Sequence, residues 1–386
     1  MKQSRSSDKK PRVALVTNLL AHYRVPCFQH LADRMPGQIT FFLLTEKMNH
    51  RHYVMAEGDD GLPVARLPGW RWSRFPHDDI HINDIRPVLR GRFDAVILGA
   101  WDEPTYLLLW IGGALSGQSV LFWVESTAKD ALRRPAKERM KKILLSRSKG
   151  CIVPGKRAFS YCRELGQAED RIFTAPNATD RVFFRGQADR LLPIRDGLRS
   201  EEKVRDFVVL FTGRLVDHLK GLSTLIKACG QLEKNGRNVS LLVAGEGPDI
   251  RAYQELGVRE GLMDIRFLGT LDHPTLCRYY AMADIFVLPS RSEPWGFVLN
   301  EGMEFGLPLV VSEAVGAGPD LVRHGENGFV FPVGDVSALA RNLEILADNE
   351  PLRHRMGQMS RSIIEKFSPE NWAEGVVNAI EATLNR

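Results

Sequence analysis

Short apolar runs rich in β-branched residues recur along the chain, separated by stretches with helical spacing. In the first half the strand candidates are 13–17, 39–44, 93–98, 119–124, 150–153 and 171–175. Stretches 26–33, 104–115, 129–149 and 158–165 carry the helical pattern, and 46–92, rich in His, Arg, Pro and Trp, reads as loops with short elements. A second series begins at 207–212 and continues through 239–244, 265–268, 284–289, 309–311 and 329–331, with helices starting near Gly221, Pro248, Pro274, Gly296 and Pro319. Strands alternating with helices at this spacing predict βαβ units and parallel sheets. Between the two series, 185–205 is polar and places Pro193 and Gly197 among charged residues, which reads as a boundary. The tail 368–385 is amphipathic, with Trp372, Val376, Ile380 and Leu384. The pattern therefore predicts an α/β chain of two doubly wound Rossmann-like domains, each with its own sheet, facing a cleft.

Composition narrows this picture. A length of 386 residues fits two or three domains, and 44% hydrophobic with 26% charged residues is ordinary globular usage. The net charge of +5 admits phosphate ligands but does not argue for nucleic acid, and no nucleic-acid partner is expected. Five scattered cysteines without a C-x-x-C argue for reduced thiols in a cytoplasmic protein and against a zinc or disulfide framework. The best apolar run, 106–115, is about half the ~20 residues a membrane helix needs. The basic start followed by V-A-L-V-T-N-L-L-A mimics a signal peptide, but Thr17 and Asn18 interrupt the apolar part. Residues 1–10 read as a disordered tail before the first core strand, with a signal peptide as the weaker alternative.

Candidate chemistry concentrates at strand ends of the second half. The stretch 290–301, S-R-S-E-P-W-G-F-V-L-N-E, places Glu293 in the loop after a strand and Glu301 about one turn inside the following helix. Three more glycine-bearing loops occupy equivalent places: G-R-L-V-D-H-L-K-G from Gly213, G-E-G-P with Gly245 and Gly247, and S-E-A-V-G-A-G-P-D with Gly316. Ligands of open α/β sheets bind at the carboxyl ends of strands, and helix amino termini attract anions. Arg214 and Lys220 add two cations suited to phosphate. A carboxylate such as Glu301 can accept both hydroxyls of a ribose, while Glu293 and the backbone at 296–297 suit a polyhydroxyl group. Cations for a diphosphate with carboxylates for sugars describe a nucleotide-sugar site.

G-R-L…K-G, G-E-G-P, F-L-G-T-L, A-D-I-F-V-L-P-S, E-x7-E, G-L-P-L-V-V and G-E-N-G-F-V-F-P-V-G-D occur in one order and spacing over about 207–348. Together they resemble glycosyltransferase family 4, the retaining GT-B enzymes also called glycosyl transferases group 1. A weaker similarity reaches back through I-V-P-G and A-P-N-A-T-D. The resemblance implies a GT-B fold whose last helix crosses back to the N-terminal domain. It implies an N-terminal acceptor domain at 11–190 with 370–386, a linker at 191–205 and a donor domain at 206–369. It implies Arg214, Lys220 and Glu293 as the catalytic set, with the cations on the pyrophosphate. Donor contacts would come from Gly213, Gly245, Gly247, Gly269, Leu271, Trp295, Gly296, Phe297, Glu301 and Gly316. Gly269 and Leu271 would face the base, and Trp295 to Phe297 would present backbone to the sugar.

The implied activity moves a hexose-type sugar from a UDP- or GDP-sugar to a saccharide or lipid-linked acceptor, in surface polysaccharide or glycolipid synthesis. No D-x-D occurs, so no metal or other cofactor is expected. Where the family's first loop is often glycine-rich, this chain has L-L-A-H-Y-R-V-P, so His22 and Arg24 become acceptor-side candidates. Where the family often has His-Asp, it has L-F-W-V-E-S-T, which puts Glu125 in the histidine's place; Asp102 follows another strand. Segment 129–149 holds nine Lys or Arg and only Asp130 and Glu138 as acids. It reads either as a docked helix with a solvated basic face or as a peripheral contact with an anionic membrane. The alternatives are a GT-B sugar-nucleotide epimerase and a non-catalytic sugar-nucleotide-binding protein. A Rossmann dehydrogenase is disfavoured because no G-x-G-x-x-G follows 13–17.

Overall fold

The structure, a computed structural model, describes residues 10–45, 61–74, 78–101, 103–128 and 133–386. The tail expected at 1–10 falls almost wholly outside them. Two compact units emerge. One comprises the chain up to Ser126, Arg133–Pro176 and Pro369–Arg386, and the other is built mainly from Asn177–Ser368.

The first unit carries strands β1 (Val13–Thr17), β2 (Ile39–Leu43), β3 (Val64–Arg66), β4 (Gly69–Arg74), β5 (Asp78–Asn83), β6 (Ala95–Leu98), β7 (Ser119–Trp123), β8 (Gly150–Val153) and β9 (Ile172–Thr174). Seven pair in the order β3-β2-β1-β6-β7-β8-β9, every pairing parallel. Most residues of these strands are buried, because helices cover both faces of a parallel sheet. The remaining two strands form an antiparallel ribbon, with Trp70 opposite Ile82 and Arg71 opposite His81. The expectation of loops at 46–92 missed β3, this ribbon and the helix Arg86–Arg90. Polar, charged and aromatic residues in G-W-R-W-S-R and D-D-I-H-I-N leave no clean apolar alternation to read.

The basic helix runs over Pro135–Ser146 rather than 129–149. Pro135 belongs in a first turn, where its missing N–H costs nothing, so it starts the helix. Leu144 and Leu145 dock it, while Ile143 is 43% exposed.

The last helix, Pro369–Leu384, returns to the first unit as the resemblance implied. Trp372 is fully buried, with ring centroids 5.3 Å from Trp123 and 5.7 Å from Phe28, which stacks on Phe41 at 4.5 Å. Gly375 lies against β9, where a Cβ would stand 2.3 Å from the Thr174 carbonyl oxygen.

The second unit has strands β10 (Phe207–Thr212), β11 (Val239–Ala244), β12 (Ile265–Gly269), β13 (Ile285–Leu288), β14 (Leu309–Ser312) and β15 (Gly328–Phe331). They form one parallel sheet in the order β12-β11-β10-β13-β14-β15. All residues of β10 and β11 are buried. The order reverses between β10 and β13, the switch point where doubly wound sheets hold ligands at their carboxyl ends.

The expected linker at 191–205 is corrected. Helices Arg181–Leu191 and Arg195–Glu202, joined by a 3-10 turn at Leu192–Ile194, occupy most of it, and the unit boundary falls at Pro176. Asp180 caps the first helix by accepting from the Phe183 N–H at 2.9 Å. Leu191 and Leu198 are buried, and Arg195 donates to Asp284 at 2.6 Å. The segment looked like a linker because its apolar residues are few, but Leu191 and Leu198 among them face the core. Two further helices, Val336–Ala347 and Glu350–Ile364, also lie outside the expected set. Among the described residues no helix is long and apolar enough to cross a membrane.

Candidate active site

Four loops at the carboxyl ends of β10, β11, β13 and β14 interlock through backbone hydrogen bonds. Gly213 N–H donates to Ala244 O at 3.0 Å, and Leu215 N–H to Glu246 O at 2.8 Å. Arg291 N–H donates to Leu219 O at 2.8 Å, laying the loop after β13 against the short helix Asp217–Lys220. Gly316 N–H donates to Glu293 O at 2.8 Å, and Ala317 N–H to Trp295 O at 3.1 Å. Two glycines make this packing possible. Gly245 has φ +133°, and a Cβ there would sit 2.0 Å from Gly213 O. A Cβ on Gly316 would sit 1.7 Å from Pro294 O. Only a residue without Cβ fits either place.

Within this frame Lys220 and Glu293 form a direct ion pair, with side chains 21% and 11% exposed. Two residues expected to address different parts of a donor thus address each other. Arg214 is exposed and, among the described residues, makes no ion pair. Gly247 packs on Leu215, and Gly269 accepts the Gly245 N–H at 2.7 Å, with Leu271 half-buried nearby in sequence. Gly296, at φ +98°, precedes the helix Phe297–Glu304.

Glu301 lies on that helix, buried, and accepts a hydrogen bond from the Tyr280 hydroxyl at 2.8 Å. Burial pushes its carboxyl up to about 7, with the Tyr280 bond working the other way. Tyr280, pinned by Glu301 and stacked on Phe305 at 5.4 Å, carried no signal in the sequence beyond its place on a helix.

Trp295, expected to offer its backbone to the sugar, uses its side chain for packing. Its side chain is 5% exposed, donates from Nε1 to Asn300 Oδ1 at 3.0 Å and belongs to the core. Asn300 in turn donates to Asn177 O at 3.0 Å. The indole holds the turn, so a donor contact at Trp295 falls to its backbone.

In the first unit, Arg24 and Glu125 meet as an ion pair at the carboxyl ends of β1 and β7. Arg24 is buried and lies 4.5 Å over the Trp123 ring. Burial opposes its charge, yet the Glu125 carboxylate and the neighbouring Tyr23 hold the guanidinium above its ordinary value. His22 lies in the same short 3-10 helix, half-buried. Asp102 lies outside the described residues.

Residues 197–363 match the model of a family described as glycosyl transferases group 1. The second unit is a glycosyl transferases group 1 domain. The interlocked loops, Lys220, Glu293 and Glu301 all fall inside this group 1 domain. An uncharacterized glycosyltransferase of Methanocaldococcus jannaschii is 34% identical over 194 residues, 49% of this chain and 47% of the relative. A phosphatidyl-myo-inositol mannosyltransferase of Mycobacterium leprae is 36% identical over 161 residues, 41% of this chain and 42% of the relative. The alignments thus span less than half the length of these curated relatives. Over the whole chain the fold is shared with Anabaena HepE, solved with UDP and glucose. The TM-score is 0.74 at 16% identity, covering 96% of this chain and 100% of that one. At that identity the likeness speaks for the GT-B fold alone.

Proposed function

We propose that the chain is a retaining glycosyltransferase that moves a hexose-type sugar from a UDP- or GDP-sugar to a saccharide or lipid-linked acceptor. The reading rests on one observation above all: a group 1 domain whose four carboxyl-end loops bring Lys220 and Glu293 together, with Glu301 buried on the adjoining helix. Arg214 and Lys220 take the diphosphate, Glu301 the ribose, and Glu293 with the backbone at 296–297 the transferred sugar. Breaking the anomeric bond builds negative charge on the leaving diphosphate, and fixed cations there stabilise the transition state. The acceptor hydroxyl attacks the face from which the diphosphate departs and passes its proton to that phosphate. The two cations do the work a metal would otherwise do, so transfer is expected to persist in excess EDTA. A thermal-shift screen of UDP-, GDP- and ADP-sugars, followed by transfer assays on the binders, tests this. Stabilisation by one donor class followed by turnover supports it. Nicotinamide turnover, epimerisation without transfer, or binding without turnover would each overturn it.

The setting proposed is the cytoplasmic face of a membrane, in the assembly of a surface polysaccharide or glycolipid. Helix Pro135–Ser146 exposes Lys137, Arg139 and Lys142 beside Ile143. Each basic side chain near an anionic leaflet contributes about 1 kcal/mol of attraction. Cosedimentation with anionic vesicles at physiological salt is expected to exceed that with neutral vesicles, and a reversal-of-charge variant at Lys137, Arg139 and Lys142 is expected to lose the excess. Equal sedimentation with both vesicle types would dispose of the membrane contact.

A further inference from the structure

The helix that carries Lys220 is a single turn, Asp217–Lys220, closed by Gly221 at φ +61°. One turn of helix has no stability of its own, because nucleation costs more than the first hydrogen bonds return. Contacts from outside must fix where Lys220 stands, and they converge on Asp217. Its backbone N–H donates to Asp249 Oδ2 at 2.7 Å, tying the turn to the start of helix Ile250–Glu260. Its Oδ1 accepts from the Ser223 N–H at 2.9 Å, in the first turn of helix Leu222–Lys234. The same oxygen accepts from the Tyr253 hydroxyl at 3.3 Å. Its Oδ2 faces Arg291 Nη2 at 3.4 Å, in the loop that also presents Glu293. One aspartate thus joins the lysine turn to two helices and to the loop after β13.

An acid three residues before a lysine meant for a diphosphate has the wrong sign for that ligand. Burial also works against its charge, yet the Ser223 N–H and the Arg291 guanidinium hold the Asp217 carboxyl below its ordinary value. It is therefore ionised at neutral pH, and both of its oxygens are engaged by the protein. The charge finds its use in what it holds. The other end of the turn is held by backbone. Leu219 O accepts from the Arg291 N–H at 2.8 Å and the Ser292 N–H at 3.1 Å, and a Cβ on Gly221 would stand 2.4 Å from Pro289 O. The grip at Asp217 is the one made by a side chain, so a substitution can release it.

We propose that Asp217 is a positioning residue, anchoring the one-turn helix at its start so that Lys220, at its end, meets the donor diphosphate in one fixed geometry. The assignment rests on the transferase reading, in which Lys220 serves the diphosphate. Combining Asp217→Ala with Lys220→Ala in the full chain tests the two apart. With Lys220 present, Asp217→Ala is expected to slow single-turnover transfer about 10²-fold, the scale of a small misplacement of a reacting group. In the Lys220→Ala background the same change should alter the rate by less than about twofold, because nothing is left to position. Binding should show the same pattern without transfer. UDP or GDP, whichever binds, is expected to lose about tenfold in affinity on Asp217→Ala only while Lys220 remains. Asp217→Asn keeps an oxygen for the Ser223 N–H and loses the Arg291 ion pair, so about a fivefold loss is expected, again only with Lys220. It carries the comparison if Asp217→Ala does not fold. The melting temperature should fall equally in both backgrounds, so lost stability cannot account for a difference between them. Losses that multiply in the double variant would overturn the anchor and leave the transferase reading standing. Near-normal transfer by Lys220→Ala, or binding of neither nucleotide, would instead remove the diphosphate role of Lys220 and the anchor with it.

Discussion

Lys220→Ala is expected to lower the transfer rate by about 10²–10³ at saturating donor, the scale for losing one preorganised charge contact made mainly in the transition state. Rate alone does not isolate that role, because Lys220 is also the partner of Glu293. With Glu293 only 11% exposed, removing the cation leaves a poorly solvated carboxylate unpaired, a loss that destabilises a fold on its own account. The double variant Lys220→Ala/Glu293→Gln separates the two effects. It leaves no uncompensated charge, so its melting temperature is expected to return most of the way to that of the wild type. Its rate is not, since the diphosphate still lacks its cation. Thermal unfolding beside single-turnover kinetics reads both. A double variant with near-normal turnover would mean that Lys220 serves the fold and not the phosphate. The direct pair also implies that donor binding rearranges both side chains, so the two single-variant effects on transfer should fail to add.

The donor half was legible because its chemistry is written in local punctuation. Gly213, Gly245 and Gly316 mark strand ends where backbones cross closely, and apolar runs as clean as 207–212 and 239–244 mark the strands themselves. The spacing of Glu293 and Glu301 was visible too, but not that the first would face Lys220 or that Tyr280 would hold the second. Those contacts join residues 73 and 21 apart in sequence, and no local period carries them. The place of the Trp295 ring was not legible either: its sequence neighbours are two glutamates and a glycine, yet the core takes the ring. His81 and Glu103 were missed because the ribbon that presents His81 has no apolar alternation. Only the fold reveals that a strand of mixed polarity buries one histidine against a carboxylate.

Glu301 should make donor affinity and fold stability depend on pH in opposite directions. Burial raises its folded-state pKa to about 7, above the ordinary carboxyl value of 4.5. The folded chain therefore holds this proton more tightly than the unfolded one. The stabilisation is fully present below the unfolded value and is lost as pH rises through about 7, a decline on the order of 3 kcal/mol across that window. Ribose hydroxyls donating to the carboxylate favour its ionised form, so binding below pH 7 must expel the proton. Donor affinity is then expected to rise with pH, by up to about tenfold per unit below 7 and about 10² between pH 5 and 7, and to level off above. A nucleotide sugar is the right probe, because each of its phosphates carries one ester and one anhydride linkage and neither titrates in this range, unlike the terminal phosphate of a free nucleoside diphosphate. Calorimetric titration at several pH values gives the slope, and proton release measured in buffers of different ionisation enthalpy gives its cause. Glu301→Gln, neutral throughout, should bind weakly with no slope and lose the decline in stability as well. If its affinity kept the wild-type slope, the titrating group would lie elsewhere and the ribose assignment would fall. If instead only the stability term vanished while affinity stayed flat in both proteins, Glu301 would be a buried acid held by Tyr280 that the donor never meets.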